Sequence, residues 1–246
     1  MNLGDRIKKF YEDRSKTFLN RGMITIIRLD GKSFSKLTSK LNKPFDDTFA
    51  NFMDATAIYL CENIQGAKFA YVQSDEITIV LTDFDKLNTN AWFDYNVQKM
   101  VSVSASLATA KFNQLRLFLD PQSELAQFDS RVFQVPNINE MVNTIIWRQQ
   151  DCTRNSISMA ASSLYTHKEL NGKSSSNKQE MMFQKGVNWN DYKTKFKRGL
   201  IIKKHVFQSE ALNGDDVTRS KWVPDFATPI FTEDTGYLYE LIPTIK

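Results

Sequence analysis

The stretch from Ala67 to Leu81 constrains the fold more than any other part of this 246-residue chain. Two strand-like runs, Ala67-Lys68-Phe69-Ala70-Tyr71-Val72 and Ile77-Thr78-Ile79-Val80-Leu81, stand on either side of four polar residues, Gln73-Ser74-Asp75-Glu76. So short a connection between two runs rich in β-branched and aromatic residues predicts a hairpin. Upstream, Met23-Ile24-Thr25-Ile26-Ile27 is too apolar for a surface strand and reads as buried, with Asp30 standing where it runs out. Between them, Phe49, Phe52, Met53, Thr56, Ala57, Leu60 and Ile64 recur at helical spacing, with Asp46 or Asp47 available as N-cap and Gly66 available to end the helix. A second helix is predicted with Phe93, Val97, Met100, Val101, Ser104, Ala108 and Phe112 on one face. The short strand Arg131-Val132-Phe133-Gln134-Val135 then stops at Pro136.

The resulting order is β-α-β-β-α-β, the split βαβ arrangement of ferredoxin-like α+β folds, which the palm of many nucleic-acid polymerases shares. Residues 1–136 are expected to form an N-terminal helix, with an apolar stripe of Ile7, Phe10, Tyr11 and Phe18, followed by the palm. Residues 137–246 are expected to be a helical and basic C-terminal elaboration packed on it as one compact unit. A helix beginning at Asn137, with Glu140 placed for a capping box, should run past Trp147 toward Asp151. The run Asn171–Asn177 reads as a mobile loop carrying Lys178, and the tail containing Trp222, Pro224, Pro229 and Pro243 as irregular chain with short strands.

If both strands lie in one sheet, Asp30 and Asp75 meet at one rim. Alone, either acid is more simply a turn or a solvated hairpin tip; the topology makes them a pair fit for two divalent ions in phosphoryl transfer. Magnesium suits such a site, since it takes hard oxygen ligands and needs only one or two carboxylates beside water and phosphate.

Other chemistries find less support. Cys61 and Cys152 are far apart and His167 and His205 are the two histidines, so no disulfide framework, zinc site or catalytic triad is indicated. No Walker or dinucleotide glycine motif is present. No apolar run has transmembrane length, and acids interrupt the basic N-terminus, so a soluble cytoplasmic protein is expected. The net charge of +4 is unevenly spread: Tyr165–His205 carries ten bases, among them Lys178, Lys193, Lys195, Lys197 and Arg198, against three acids. Such an excess attracts phosphate without reading sequence; its plain alternative is a solvated lysine-rich loop.

The blocks Arg28-Leu29-Asp30-Gly31-Lys32-Ser33-Phe34, Lys43-Pro44, Tyr71-Val72-Gln73-Ser74-Asp75-Glu76, Phe128-Asp129-Ser130-Arg131, Trp147-Arg148-Gln149-Gln150-Asp151-Cys152 and Asn177-Lys178-Gln179-Glu180 resemble, in order, those of the tRNA-histidine guanylyltransferase family. The resemblance implies a palm that adds nucleotides to the 5′ end of tRNA, with two magnesium ions on Asp30, the Gly31 carbonyl and Asp75. It implies ATP and GTP or another nucleoside triphosphate near Lys32, Ser33, Phe34, Lys43 and Ser74, with Glu76 as third ligand or support, and a tetrameric assembly. Lys178 would lie near phosphate or tRNA, and Arg131, Arg148, Arg154, Asn155, Lys193, Lys195, Lys197 and Arg198 are further candidate tRNA contacts. For Arg148 and Asp151, a structural salt bridge and a place in the nucleotide site are both open.

Two departures matter. Thr153-Arg154-Asn155-Ser156 stands where members acting on histidine tRNA carry His-Ile-Asn-Asn, and Phe34-Ser35 where they carry Phe-His. The variant resembles the guanylyltransferase-like subgroup, whose role is template-directed 3′-to-5′ repair of 5′-truncated tRNA. Guanosine addition to histidine tRNA is the alternative, and a nucleotide cyclase or a non-catalytic tRNA-binding protein are weaker ones.

Overall fold

The computed structural model describes residues 1–86, 88–210 and 216–243. Its helices are α1 (Leu3–Ile7), α2 (Phe34–Leu37), α3 (Asp47–Asn63), α4 (Val97–Leu119), α5 (Ile138–Ser162), α6 (His167–Leu170), α7 (Ser175–Gln184), α8 (Thr194–Arg198) and α9 (Gly236–Glu240). Its strands are β1 (Ile24–Gly31), β2 (Ala67–Gln73), β3 (Glu76–Leu81), β4 (Phe128–Val135), β5 (Leu200–Glu210) and β6 (Asp216–Asp225). They form one sheet in the order β4-β1-β3-β2-β5-β6, every neighbouring pair antiparallel. The first four strands with α3 and α4 are the expected βαββαβ palm.

Alternation along the strands gives the sheet two apolar faces. Ile27 and Leu29, Ala70 and Val72, and Ile77 and Ile79 point to one side, where Met53, Ala57 and Leu60 of α3 and Met100, Ala108 and Phe112 of α4 cover them. Ile24 and Ile26, Phe69 and Tyr71, and Val80 point to the other, under Met141, Val142 and Ile145 of α5, Leu238 of α9, and Phe231 in the turn before it. Asp46 caps α3, accepting from the Phe49 amide at 2.8 Å. Asn137 caps α5, accepting from the Glu140 amide at 3.0 Å, but the Glu140 carboxylate turns to Asn143, so the cap is one-sided rather than a box.

Several elements differ from expectation. Phe93 is not on α4: Phe93, Asp94 and Tyr95 take left-handed conformations, and the helix begins after its Asn96 cap. α5 extends eleven residues past Asp151. The N-terminal helical stretch ends at Ser15, passing through a π-helical turn at Lys8–Glu12, and none of its residues is buried. Phe18 lies outside it, bridged to Asn96. The end of the expected mobile loop is helix, because Ser174 accepts from the Asn177 amide and starts α7 at Ser175. The tail forms β6, paired with β5 from Asp216–Glu210 to Asp225–Ile201. Proline fits at Pro224 because β6 is the sheet edge. No described helix is long and apolar enough to cross a membrane.

Candidate active site

β1 continues through Asp30 and Gly31, so Asp30 ends the strand from within and pairs with Glu76 on β3. Gln73 and Glu76 also pair, which leaves Ser74 and Asp75 as a two-residue turn. Ser74 takes the left-handed conformation, φ 48°, that such hairpin turns require. The turn is tied to β1 by the Gly31 amide, which donates to the Asp75 carbonyl at 3.2 Å. Gly31 cannot carry a side chain here, because a Cβ would enter the ring of Phe34.

Asp30 and Asp75 open into one cleft of about 880 Å³, bounded by the 38–46 connection, α3, the β2–β3 turn, α5 and α8. Six acids and four bases line it, so a polyphosphate entering it meets net negative charge. Burial pushes the Asp75 carboxyl up to about 6, and the neighbouring charges of Asp30 and Glu76 add to that, against hydrogen bonds from its own backbone amide and Ser74. Two carboxylates held together at such a cost suit a hard cation. Among the described residues no three His, Cys, Asp or Glu side chains gather as a closed metal site. A donor set of two carboxylates fits an ion that completes its shell with water and phosphate, as magnesium does.

Glu76 has another task. Its Oε1 accepts from Arg148 Nε at 2.8 Å and from Gln73 Nε2 at 3.1 Å. The Arg148 Nη2 donates to Asp151 at 2.7 Å, and Asp151 also accepts from Arg154 at 3.0 Å and Asn155 at 3.3 Å. Arg148 is 7% exposed. Although it lines the cleft, its guanidinium is engaged by two carboxylates, which is the salt-bridge alternative and not a free tRNA contact.

The remaining expected residues divide. Lys43, Ser74, Asn155 and Lys195 line the cleft with the acids. Lys32 is exposed beside it, donating to Gln127 at 3.0 Å, and Ser33 is exposed with φ 57°. The side chain of Phe34 is buried among Phe49, Phe112 and Phe128, so it supports Gly31 and does not face a nucleotide. Arg131 sits on β4, its Nη2 3.3 Å from Asp129 and 4.0 Å from Asp30. Lys178 donates to Ser158 on α5 at 3.0 Å. Arg198 uses its carbonyl to accept from Tyr71 at 2.7 Å.

The lysine run reads differently in three dimensions. Lys193 remains exposed while pairing with Asp47 at 2.8 Å. Lys195 is nearly buried between Asn51 and Asp54. Lys197 is 8% exposed, donates to the Asn190 carbonyl, and lies over Trp189. Burial, with Arg198 adding, lowers its pKa against the pull of Asp191. It is an internal brace, not a phosphate contact. Lys193→Ala is accordingly expected to flatten the dependence of log K on log salt for tRNA by about one phosphate's share, whereas Lys197→Ala should lower the urea midpoint and leave that slope unchanged. A changed slope with an unchanged midpoint in Lys197→Ala would return it to the RNA surface.

The family described as Thg1, tRNAHis guanylyltransferase, matches residues 4–136, from the N-terminal helix to the end of the palm. The chain belongs to the Thg1 family. Its chemistry is thus that of a nucleotidyltransferase. A tRNA(His) guanylyltransferase of Schizosaccharomyces pombe is 30% identical over 191 residues, covering 72% of this chain and 71% of its own. A bacterial Thg1-like protein solved in complex with ATP aligns over 100% of both chains at 41% identity with a TM-score of 0.90. Another, in complex with GTP, covers 97% of this chain and 98% of its own at 39% identity, TM-score 0.81. Sequence reasoning missed most of the far wall of this Thg1-family cleft, including Asn42, Phe45, Ser158, Met159 and Ser162. The signal was present in α5, whose small and polar residues after Asp151 leave one helix face without bulk.

Proposed function

We propose that the protein adds nucleotides to the 5′ end of tRNA in the 3′-to-5′ direction and lets the opposing strand of the acceptor stem choose the base, a repair of 5′-truncated tRNA. The observation that carries this reading is the stretch Thr153–Ser156 on α5, of which Asn155 and Ser156 line the cleft. Thr153 donates to the Lys197 carbonyl at 3.1 Å, Arg154 and Asn155 hold Asp151, and Ser156 donates to the Thr153 carbonyl and accepts from Trp189. Thr153 and Ser156 join α5 to the 189–198 segment while Arg154 and Asn155 bind Asp151 on α5 itself, and no imidazole stands among the four to select one tRNA.

Asp30, the Gly31 carbonyl and Asp75 are the residues that would hold magnesium, which when bound supplies charge neutralisation at a transferring phosphoryl group. The tRNA 5′ phosphate would first be joined to the adenylyl group of ATP with release of pyrophosphate. The 3′ hydroxyl of an incoming nucleoside triphosphate would then attack that phosphate and AMP would leave. Lys43 and Ser74, which line the cleft, and Lys32 next to Gly31 would orient the triphosphates, while Arg148 holds Glu76. The narrow turn at Ser74–Asp75 would fix where the reacting phosphate sits.

The test supplies the purified protein, magnesium and all four triphosphates with truncated tRNAs differing only at the templating position, and sequences the 5′ ends. The complement of each template base is expected at every position, on several tRNAs. Guanosine alone, added only to histidine tRNA whatever the opposing base, would favour the guanylyltransferase reading and end the repair one.

A further inference from the structure

Among the described residues of the cleft wall, Trp147 is the large aromatic that the fold leaves uncovered. Of the other three, Phe45 and Phe196 stack on each other at 4.7 Å and 6°, and Phe49 meets Phe34 and Phe112 edge-on. Trp147 is 47% exposed, although it stands on α5 beside the buried Arg148 and Gln149. The guanidinium of Arg148 lies 4.3 Å from its ring centroid and that of Arg28 5.5 Å. Glu76 holds both arginines from behind, Arg148 at 2.8 Å and Arg28 at 4.0 Å. The indole therefore carries fixed guanidiniums over its ring, and its remaining area, about half, is open on the wall of the cleft. The exposed part of an apolar plane held rigid gains nothing for folding, and its stabilisation becomes available to a ligand.

Its place relative to the acids decides which ligand. Arg28 and Asp30 share one face of β1, two residues apart, which is roughly 7 Å along a strand. A nucleotide with its 5′ phosphate at Asp30 and Asp75 has its base one ribose away, within reach of a plane beside Arg28. We propose that Trp147 is the stacking platform for that nucleobase, a subsite that rests on the nucleotidyltransferase reading above. Stacking holds any base, because every base has a π face. The platform orients the nucleotide without selecting it, as template choice requires. The base can come from two sources, a free triphosphate or the 5′-terminal nucleotide of the tRNA.

Binding measurements on full-length protein separate these. Trp147→Ala is expected to weaken ATP, or 5′-phosphorylated truncated tRNA, about tenfold or more, and the probe that weakens names the source. Inorganic triphosphate, which has no base, should bind the variant as it binds the wild type, which also shows that the cleft is intact. Trp147→Phe should keep most of the affinity. Equal wild-type affinity of Trp147→Ala for ATP and tRNA would overturn the platform, and so would an equal loss of inorganic triphosphate, since that would mean disturbed arginines. A wild-type protein that binds neither ATP nor tRNA would overturn the functional reading and the platform with it.

Discussion

Asp30→Ala and Asp75→Ala are each expected to slow nucleotide addition by about a thousandfold or more, with tRNA affinity nearly unchanged. Removing one group that acts on charge developing in a transition state commonly costs two to three decades, and these carboxylates are expected to act through an ion as well. Docking of the polynucleotide depends on phosphate contacts spread over the surface, which neither acid makes. Single-turnover rates at saturating tRNA check the first claim and filter binding the second. Full activity in either variant would sink the assignment.

Asp75 also carries a stability signature that separates it from a solvated hairpin tip. Its carboxyl is raised to about 6, first by burial and then by Asp30 and Glu76. For an acid raised above its unfolded value near 3.8, the folded state binds the proton more tightly. The charged form therefore destabilises the fold progressively between about pH 4 and 6, with the full cost present above that range. Two pKa units correspond to roughly 2–3 kcal/mol. In chelator, Asp75→Asn should raise the urea midpoint at pH 8 and bring little gain at pH 4, while abolishing activity. A midpoint that does not depend on pH in this way would place Asp75 in water.

Much of this arrangement was legible in the chain because strong local signals and topology agreed. The runs around Gln73–Glu76 could be little but a hairpin, and the helix over Phe49–Ile64 had both a cap and a stripe. What escaped was set by tertiary partners. Asp30 appeared to follow β1, but pairing with Glu76 draws it into the strand. Asn171–Asn177 has a loop's composition, yet Ser174 turns its polar run into a helix start. β5 and β6 carry Lys204-His205 and Ser220-Lys221 on a ribbon exposed on both sides, so the alternation that marks a half-buried strand is absent. Lys197 looks like a surface base in sequence, because nothing local reveals that Trp189 and Asn190 will close around it; for Arg148 the salt bridge to Asp151, three residues on, was legible and the one to Glu76 was not.

Arg148 gives the largest effect expected on the fold itself. Replacing it by Ala leaves the Glu76 and Asp151 carboxylates, 12% and 27% exposed, without the guanidinium between them. Removing one partner of a buried ion pair costs about 3–5 kcal/mol, because the remaining charge stays desolvated. Arg154 and Asn155 still reach Asp151, so the greater share falls on Glu76. Lysine should rescue little, since an ammonium cannot present a planar fork to two acids at once. The double variant Arg148→Met with Glu76→Gln should recover a good part of the loss, because the charge left stranded in the single variant is gone. Urea unfolding of the two single variants and the pair measures that coupling. A surface arginine that binds RNA gives the opposite pattern: Arg148→Ala would unfold at the wild-type midpoint, bind tRNA more weakly with a reduced salt slope, and show no coupling to Glu76. That pattern would return Arg148 to the tRNA surface and leave the position of Glu76 behind the two acids without its explanation.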